Sequence, residues 1–174
     1  MTMTPRWMRL WFFPMTLVIG LWPAWSAAAE DEAIAVIVSE TPPAIQFDLL
    51  TLRDIFLKRI SIDRRGQGLI PLNLPPDHRL RRAFSLALLG ETPRNLQNYW
   101  NQRYFHGVSP PYVVNSEEAM VRFVAKTPGA IGYVAPCDVD HRVKEIALIP
   151  VPREMRGVIR ELCKPPEGGT KIKR

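Results

Sequence analysis

The sequence predicts an α/β fold with a small, mostly parallel or mixed sheet flanked by helices. Two observations favour this class. Short apolar or β-branched runs, which are typical of strands, alternate along the chain with amphipathic segments that carry helix caps. The length of 174 residues suits one domain. The sequence shows no glycine period or sustained heptad, which excludes collagen and coiled coil.

The N-terminal 29 residues have the pattern of a secretory signal peptide. Arg6 and Arg9 precede an apolar run of residues 10–25, and the small residues 26–29 follow. The alternative is a membrane anchor, but the run of about 16 residues is shorter than the ~20 needed to span a bilayer. We therefore expect cleavage near Ala29 and a periplasmic location. Cleavage removes two arginines and no acid, so the net charge falls from +6 to +4, which gives no reason to expect a nucleic-acid partner.

The first elements after the signal peptide alternate strand and helix. Residues 33–38 form a continuous β-branched run that predicts a buried strand. Thr51, followed three residues later by Asp54, indicates a capping box and a helix to about Lys58. Residues 69–72 are predicted as a second strand.

The next helix is predicted from an Asp77 cap to Leu89. Arg81, Arg82 and Ser85 lie outside its apolar stripe, so they are expected in solvent. The stripe itself consists of Leu80, Ala83, Phe84, Ala87 and Leu88.

Two further helices and three strands complete the predicted order. Thr92-Pro93 begins a helix whose aromatic stripe either lines a cleft or packs in the core. Ser116 caps a helix with an apolar face that includes Met120 and Phe123. The remaining strands cover residues 112–114, 130–134 and 145–151, and the domain is expected over 33–151. Residues 152–174 are expected to form a C-terminal tail that is partly disordered.

The two cysteines, Cys137 and Cys163, are predicted to form a disulfide. Export places them in an oxidising compartment, where thiol pairs tend to close. The chain-entropy model gives about 3 kcal/mol for a loop of ~25 residues. Two free thiols remain the alternative, because spacing alone does not bring two sulfurs together.

No catalytic or metal-binding pattern occurs in the sequence. The three histidines lie far apart, and two cysteines cannot build a four-ligand zinc site. No nucleophile elbow, phosphate-binding loop or dinucleotide fingerprint is present. We therefore predict a protein that is not an enzyme and that uses no metal or cofactor.

One segment has the character of a ligand site. Residues 73–79 connect a predicted strand to a helix start, where free backbone N–H groups favour anions. Ligands of open α/β sheets bind at the carboxyl ends of the strands. The candidate ligand-binding residues are Asn73, Asp77, His78 and Arg79. The alternative interpretation is an ordinary solvated basic helix face.

Three stretches of the chain resemble the periplasmic phosphate-binding proteins of ABC transporters. They are residues 52–57, the strand-to-helix segment 70–84, and the T-P-G-A-I-G-Y-V stretch at 127–134, which is the most specific. The resemblance implies a single lobe of the type 2 periplasmic-binding-protein fold, and export. It also implies a small oxyanion as ligand and an ABC permease as partner.

The chain departs from that family in two respects. The family's proteins are about twice as long, so a second lobe would have to come from a homodimer or from another envelope protein. Their phosphate loop has Arg, three residues, then Ser-Gly-Thr, whereas Asn73 stands at the Arg position here. Asp77 stands at the Ser position, where a capping carboxylate would repel an anion. These departures favour weak or absent phosphate binding.

Two functions are consistent with the sequence. The first is a minimal solute-binding protein that works with a transporter. The second is a binding-protein-like module that has no ligand and serves as an interaction or sensor subunit of the cell envelope.

Overall fold

The computed structural model describes residues 32–40 and 47–165 of the chain. The predicted signal peptide and the last nine residues lie outside the described residues. The elements in chain order are β1 (Ala33–Ser39), α1 (Leu49–Phe56), β2 (Ile70–Asn73), α2 (Arg79–Phe84), α3 (Leu96–Phe105), β3 (Tyr112–Val113), α4 (Glu117–Lys126), β4 (Ala130–Val134), β5 (Val143–Pro150) and α5 (Val158–Leu162).

The five strands form one mixed sheet in the order β3-β2-β4-β1-β5. Strand β2 runs parallel to β3 and β4. Strand β1 runs antiparallel to both of its neighbours, β4 and β5. The predicted fold class, a small mixed sheet with helices, is therefore confirmed. The sheet has a carboxyl edge, where β2, β3 and β4 end, and an amino edge, where they begin.

Helices cover both faces of the sheet. Neighbouring residues of β4 point to opposite faces, and each packs against a different helix. Gly132 faces α4 so closely that an added Cβ would meet Met120 Sδ at 2.6 Å. Tyr133 faces the other side, where its ring stacks on Phe84 of α2 with centroids 3.7 Å apart. Phe56 of α1 packs edge-on against Phe84 at 4.7 Å. These three aromatic side chains form the centre of the core on that face.

Two helix starts differ from the prediction. Helix α1 begins at Leu49, because the Asp48 carboxylate accepts the Thr51 N–H at 2.6 Å. Thr51 is therefore a donor to the cap and not the cap itself. Helix α2 begins after His78, whose Nδ1 accepts the Leu80 N–H at 3.3 Å. The prediction that Asp77 caps this helix is wrong, because the imidazole one residue later occupies that role.

The expectation that Arg81 and Ser85 are solvated is also wrong, since both side chains are buried. Helix α2 continues into a π-helical turn over Ser85–Leu89 and ends at Gly90, which has a positive φ of 75°. Helix α2 packs against α5 as well as against the sheet. A helix with two neighbours has a wider buried face than the periodic apolar stripe indicates.

Helix α3 starts later than predicted, at Leu96, because residues 93–95 first form a turn in which Thr92 Oγ1 accepts the Asn95 N–H. Its aromatic stripe is core only in part. Tyr99 donates its hydroxyl to the Leu57 carbonyl at 2.8 Å, whereas Tyr104 is exposed. The Ser116 cap of α4 is confirmed, with its Oγ 3.1 Å from the Ala119 nitrogen.

The core face of α4 is rotated from the predicted one, because Val121 is buried in place of Phe123. Met120, Val121 and Val124 are buried, and Phe123 is exposed. The packed structure also extends past Val151, because Val158 and Ile159 of α5 are buried in the core. Within residues 32–40 and 47–165, no helix has the length and apolar character needed to cross a membrane.

Candidate functional site

Polar side chains are buried together at the carboxyl edge of the sheet. Asn73 is the last residue of β2 and is buried. The Tyr133 hydroxyl lies 3.4 Å from Asn73 Oδ1, to which it donates, and it accepts the Leu74 N–H at 3.2 Å. Burial raises the pKa of Tyr133 to about 12, so the phenol keeps its proton at neutral pH. This hydrogen-bond chain joins the ends of two parallel strands.

Arg81 and Ser85 lie one helical turn apart beside this chain. Arg81 is only 7% exposed and Ser85 is fully buried. Within the described part of the chain, neither Arg81 Nε and Nη1 nor Ser85 Oγ has a hydrogen-bond partner. Burial lowers the pKa of Arg81, and the nearby Tyr133 raises it in part. A guanidinium titrates far above neutrality, so the group remains a cation.

A buried cation without a carboxylate is an unusual arrangement. Burial of an unpaired charge costs several kcal/mol even after relaxation of its surroundings. Buried polar groups without partners therefore indicate strain, a bound ion or a functional role. Here two guanidinium N–H donors and one hydroxyl are unpartnered within one helical turn. They constitute a ready set of donors for an anion.

Glu117, in the first turn of α4, brings an acid to the same edge. Its Oε2 accepts the Ala135 N–H at 2.6 Å, just after β4 ends. Burial raises the pKa of Glu117 to about 7, and the nearby Asp138 carboxylate adds to this rise. The neighbouring Glu118 behaves in the opposite way, because its hydrogen bond from Arg142 lowers its pKa to about 2. Glu117 is thus half protonated near neutral pH.

The four predicted ligand residues lie in different settings. Asn73 belongs to the buried hydrogen-bond chain, whereas Asp77 is exposed. His78 is committed to the cap, and burial lowers its pKa, which keeps its ring neutral. Arg79 pairs with Glu161 of α5, and both side chains are about half exposed. Because Asp77 is not the cap, its carboxylate does not take the free N–H groups at the start of α2.

Sequence reasoning missed the residues that are buried at this edge. The apolar stripe predicts Arg81 on the solvated side of its helix, and the sequence pattern gives no sign that Glu117 is buried. One signal was available for the first of them. Arg81 and Ser85 are spaced i, i+4, so they share one helix face next to the apolar stripe. Tyr133 belongs to the T-P-G-A-I-G-Y-V stretch, but the sequence pattern predicts no part for it in a site.

The structure joins Cys137, just after β4, to Cys163, just after α5, with Cα atoms 5.7 Å apart. The described residues include no group of three or more His, Cys, Asp or Glu side chains placed to hold a metal ion.

This arrangement, a mixed sheet flanked by helices, is similar in fold to part of two solved substrate-binding proteins. No family model matches the chain, and no curated protein matches it by sequence. Two solved structures share the fold, each with a TM-score of 0.55. One is an ABC-type phosphate transport receptor from Vibrio cholerae, 22% identical, with 66% of this chain covered.

The other is a protein assigned as a phosphate ABC transporter substrate-binding protein from Clostridium perfringens, with bound phosphate. It is 15% identical, and the match covers 75% of this chain. The chain spans only 45% and 60% of the lengths of the two structures. At these identities the comparisons establish the fold, which confirms the resemblance noted in the sequence.

Proposed function

We propose that the chain is an exported solute-binding domain that binds a small oxyanion at the carboxyl edge of its sheet. The observation that carries the proposal is the buried, unpartnered guanidinium of Arg81. An anion would remove the cost of the uncompensated charge, and charge-assisted hydrogen bonds would form at the same time. No carboxylate of the described chain forms an ion pair with this guanidinium.

The donor set suits an oxyanion. Guanidinium N–H groups form charge-assisted hydrogen bonds with the oxygens of such an anion, and Nε and Nη1 of Arg81 are both without a partner in the described chain. Ser85 Oγ, one turn along, can donate to a third oxygen. Phosphate is the first candidate, since both proteins with the same fold are named as phosphate-transport proteins.

Export and delivery to an ABC permease belong to the same proposal. The basic, apolar and small regions of the first 29 residues support cleavage near Ala29 and a periplasmic site of action. Mass spectrometry of periplasmic protein should then find a start within a few residues of Glu30. Intact protein that begins at Met1 in the membrane fraction would contradict export.

Calorimetric titration of the mature protein with phosphate and sulfate tests the binding. The wild type and Arg82→Met, in which an exposed neighbour is changed, should bind one anion per chain. Arg81→Met should lose binding, because Met keeps the stem and removes the charge. Equal affinity in the wild type and Arg81→Met would refute the assignment of the site.

A second function is favoured by a different observation. Tyr104 and Phe105 at the end of α3, and Tyr112 and Val113 of edge strand β3, are all more than half exposed. Exposed apolar groups of this size are typical of interaction surfaces. The chain would then be a ligand-free module that docks on an envelope protein or on a second copy of itself.

Analytical ultracentrifugation of the mature protein tests the self-association. A dimer that dissociates in Phe105→Ser but not in Phe123→Ser would support this second function. A monomer at all concentrations would exclude the homodimer.

A further inference from the structure

Helix α5 crosses the carboxyl edge of the sheet and is attached there by three different elements. The Glu32 carboxylate, just before β1, accepts the N–H groups of Gly157 and Arg160 at 2.7 and 3.2 Å. Glu161 pairs with Arg79, the first residue of α2. Cys163 is joined to Cys137.

Each of these partners lies at the carboxyl edge. Strand β1 is antiparallel to β4, with Ala35 opposite Val134, so the segment before β1 lies where β4 ends. Cys137 follows the same end of β4, and Arg79 begins the helix that carries Arg81. Helix α5 therefore covers the edge at which the unpartnered donors are buried, and it contributes Val158 and Ile159 to the core.

We propose that α5 is a lid over the anion site, locked by the Cys137–Cys163 disulfide and released when that disulfide is reduced. The proposal rests on the function proposed above, because the lid regulates access to the same Arg81 site. In the oxidised protein the lid slows entry and release of the anion. In the reduced protein α5 separates from α2 and the site opens to solvent.

The disulfide is the covalent attachment of α5, whereas its short helix and its ion pair contribute little on their own. Helix α5 has five residues, far fewer than an isolated helix needs to be stable in water. The Arg79–Glu161 pair is about half exposed, and exposed ion pairs contribute little. Without the covalent bond, α5 depends on Val158, Ile159 and the Glu32 cap.

The redox step requires a dithiol reductant. One thiolate of the reductant attacks Sγ of Cys137, which is the exposed partner. The protein disulfide breaks, a mixed disulfide forms at Cys137, and Cys163 leaves as a thiolate that takes a proton. The second thiol of the reductant then displaces Cys137 and closes the reductant into its own disulfide. Two electrons and two protons thus pass to the protein.

The state of the cysteines is established first by alkylation of the isolated mature protein without reductant. Both cysteines should remain unlabelled, and both should be labelled after dithiothreitol. Two labelled thiols before reduction would overturn the lock. The double variant Cys137→Ser/Cys163→Ser then serves as a permanent open form.

Hydrogen exchange measured by mass spectrometry tests the lid without any ligand. Amides of residues 79–89 and 157–163 should exchange faster in the reduced protein and in the double variant, while β1 and β4 keep their protection. Protection that is equal in the oxidised and reduced protein would overturn the lid. Faster exchange throughout the chain would also overturn it, because the disulfide would then support the whole fold.

Release of radiolabelled phosphate tests the link to the site. Lid opening should accelerate release by about tenfold or more, as gating of a closed site does in other proteins. Glu161→Gln should give a smaller acceleration, and Glu154→Gln, in the same C-terminal segment, should give none. Equal release rates in both redox states would contradict the lid.

The two proposals fail in different ways. If exchange shows that α5 opens but phosphate and sulfate bind in neither state, the anion site is wrong and the lid lacks its function. If phosphate binds through Arg81 with equal rates and equal protection in both states, the lid is wrong and the anion site remains.

Discussion

The two edges of the sheet differ in whether their hydrogen-bonding groups have partners. At the amino edge, Asp63 Oδ1 accepts the N–H groups of Arg65 and Gln67, each at 2.8 Å. The Ile70 N–H reaches the Gly129 carbonyl at 2.8 Å. At the carboxyl edge, donors of Arg81 and Ser85 are buried without partners in the described chain. The amino edge is built for stability, and the carboxyl edge retains capacity for a ligand.

A cavity of about 430 Å³ lies at the amino edge, between the 63–69 turn and the start of β4. Its acid, Asp63, already serves the backbone of its own turn. The amino edge therefore offers space, whereas the carboxyl edge offers hydrogen-bond donors that have no partner in the described chain.

The largest effect is expected from Gly129→Ala at the amino edge. Gly129 has a positive φ of 79°, and an added Cβ would lie 2.0 Å from the Gly68 carbonyl oxygen. The free energy of unfolding should fall by about 3 kcal/mol or more, because strain and overlap combine. Urea unfolding measures the loss. The control is Gly66→Ala, which has a similar φ of 83° but open space, and it should cost about 1 kcal/mol. Equal losses would show that the close approach to Gly68 is unimportant.

A pH-dependent effect of similar size is expected at the carboxyl edge. The pKa of Glu117 is about 7 in the folded protein, against an ordinary value of 4.5. The folded state therefore binds the proton more tightly, and its stabilising contribution is complete below pH 4.5. It is lost as pH rises towards 7, by up to about 3 kcal/mol. Unfolding of the wild type and Glu117→Gln at pH 4.5 and 8 should show this slope in the wild type only.

The adjacent Glu118 provides the matched control for that titration. The pKa of Glu118 is lowered to about 2, a shift opposite in direction to that of Glu117. Its contribution to stability is therefore present above pH 4.5 and is lost as the solution becomes more acidic. Glu118→Gln should leave the slope between pH 4.5 and 8 unchanged. A slope that is the same in Glu117→Gln and the wild type would show that Glu117 titrates normally.

Arg81→Met should raise stability in buffer without phosphate. The variant removes a buried, unpaired charge, and hydrophobic replacement of buried charges often stabilises a protein by about 1 to 4 kcal/mol. Thermal unfolding should therefore shift upward in Arg81→Met and stay nearly unchanged in Arg82→Met. A marked loss of stability in Arg81→Met would mean that the guanidinium is satisfied in the apo protein.

The smallest effect is expected from Asp63→Ala, which removes the acceptor of two backbone N–H groups in an exposed turn. The loss should be about 1 kcal/mol. Asp63→Asn keeps an acceptor oxygen and should recover most of it. Both variants should bind phosphate like the wild type, since the turn lies at the other edge.

Local pattern predicted the strands better than the site. The 130–134 strand was predicted with its observed bounds, because β4 is buried on both faces and reads as a continuous apolar run. The i, i+4 spacing of Arg81 and Ser85 indicates a shared helix face, but their burial depends on tertiary packing, which the local pattern does not give. The His78 cap was missed because a histidine is an infrequent cap beside an Asp that has a much stronger preference.

The antiparallel placement of β1 has a consequence for the order in which the sheet forms. The first strand of the fold is hydrogen-bonded only to β4 and β5, which lie about a hundred residues further along. Contacts of such high contact order form slowly, because a long loop must close before any of them is made. During synthesis, β1 stays without either neighbour until the residues of β4 and β5 have been made. Completion of the sheet is therefore a late step of folding.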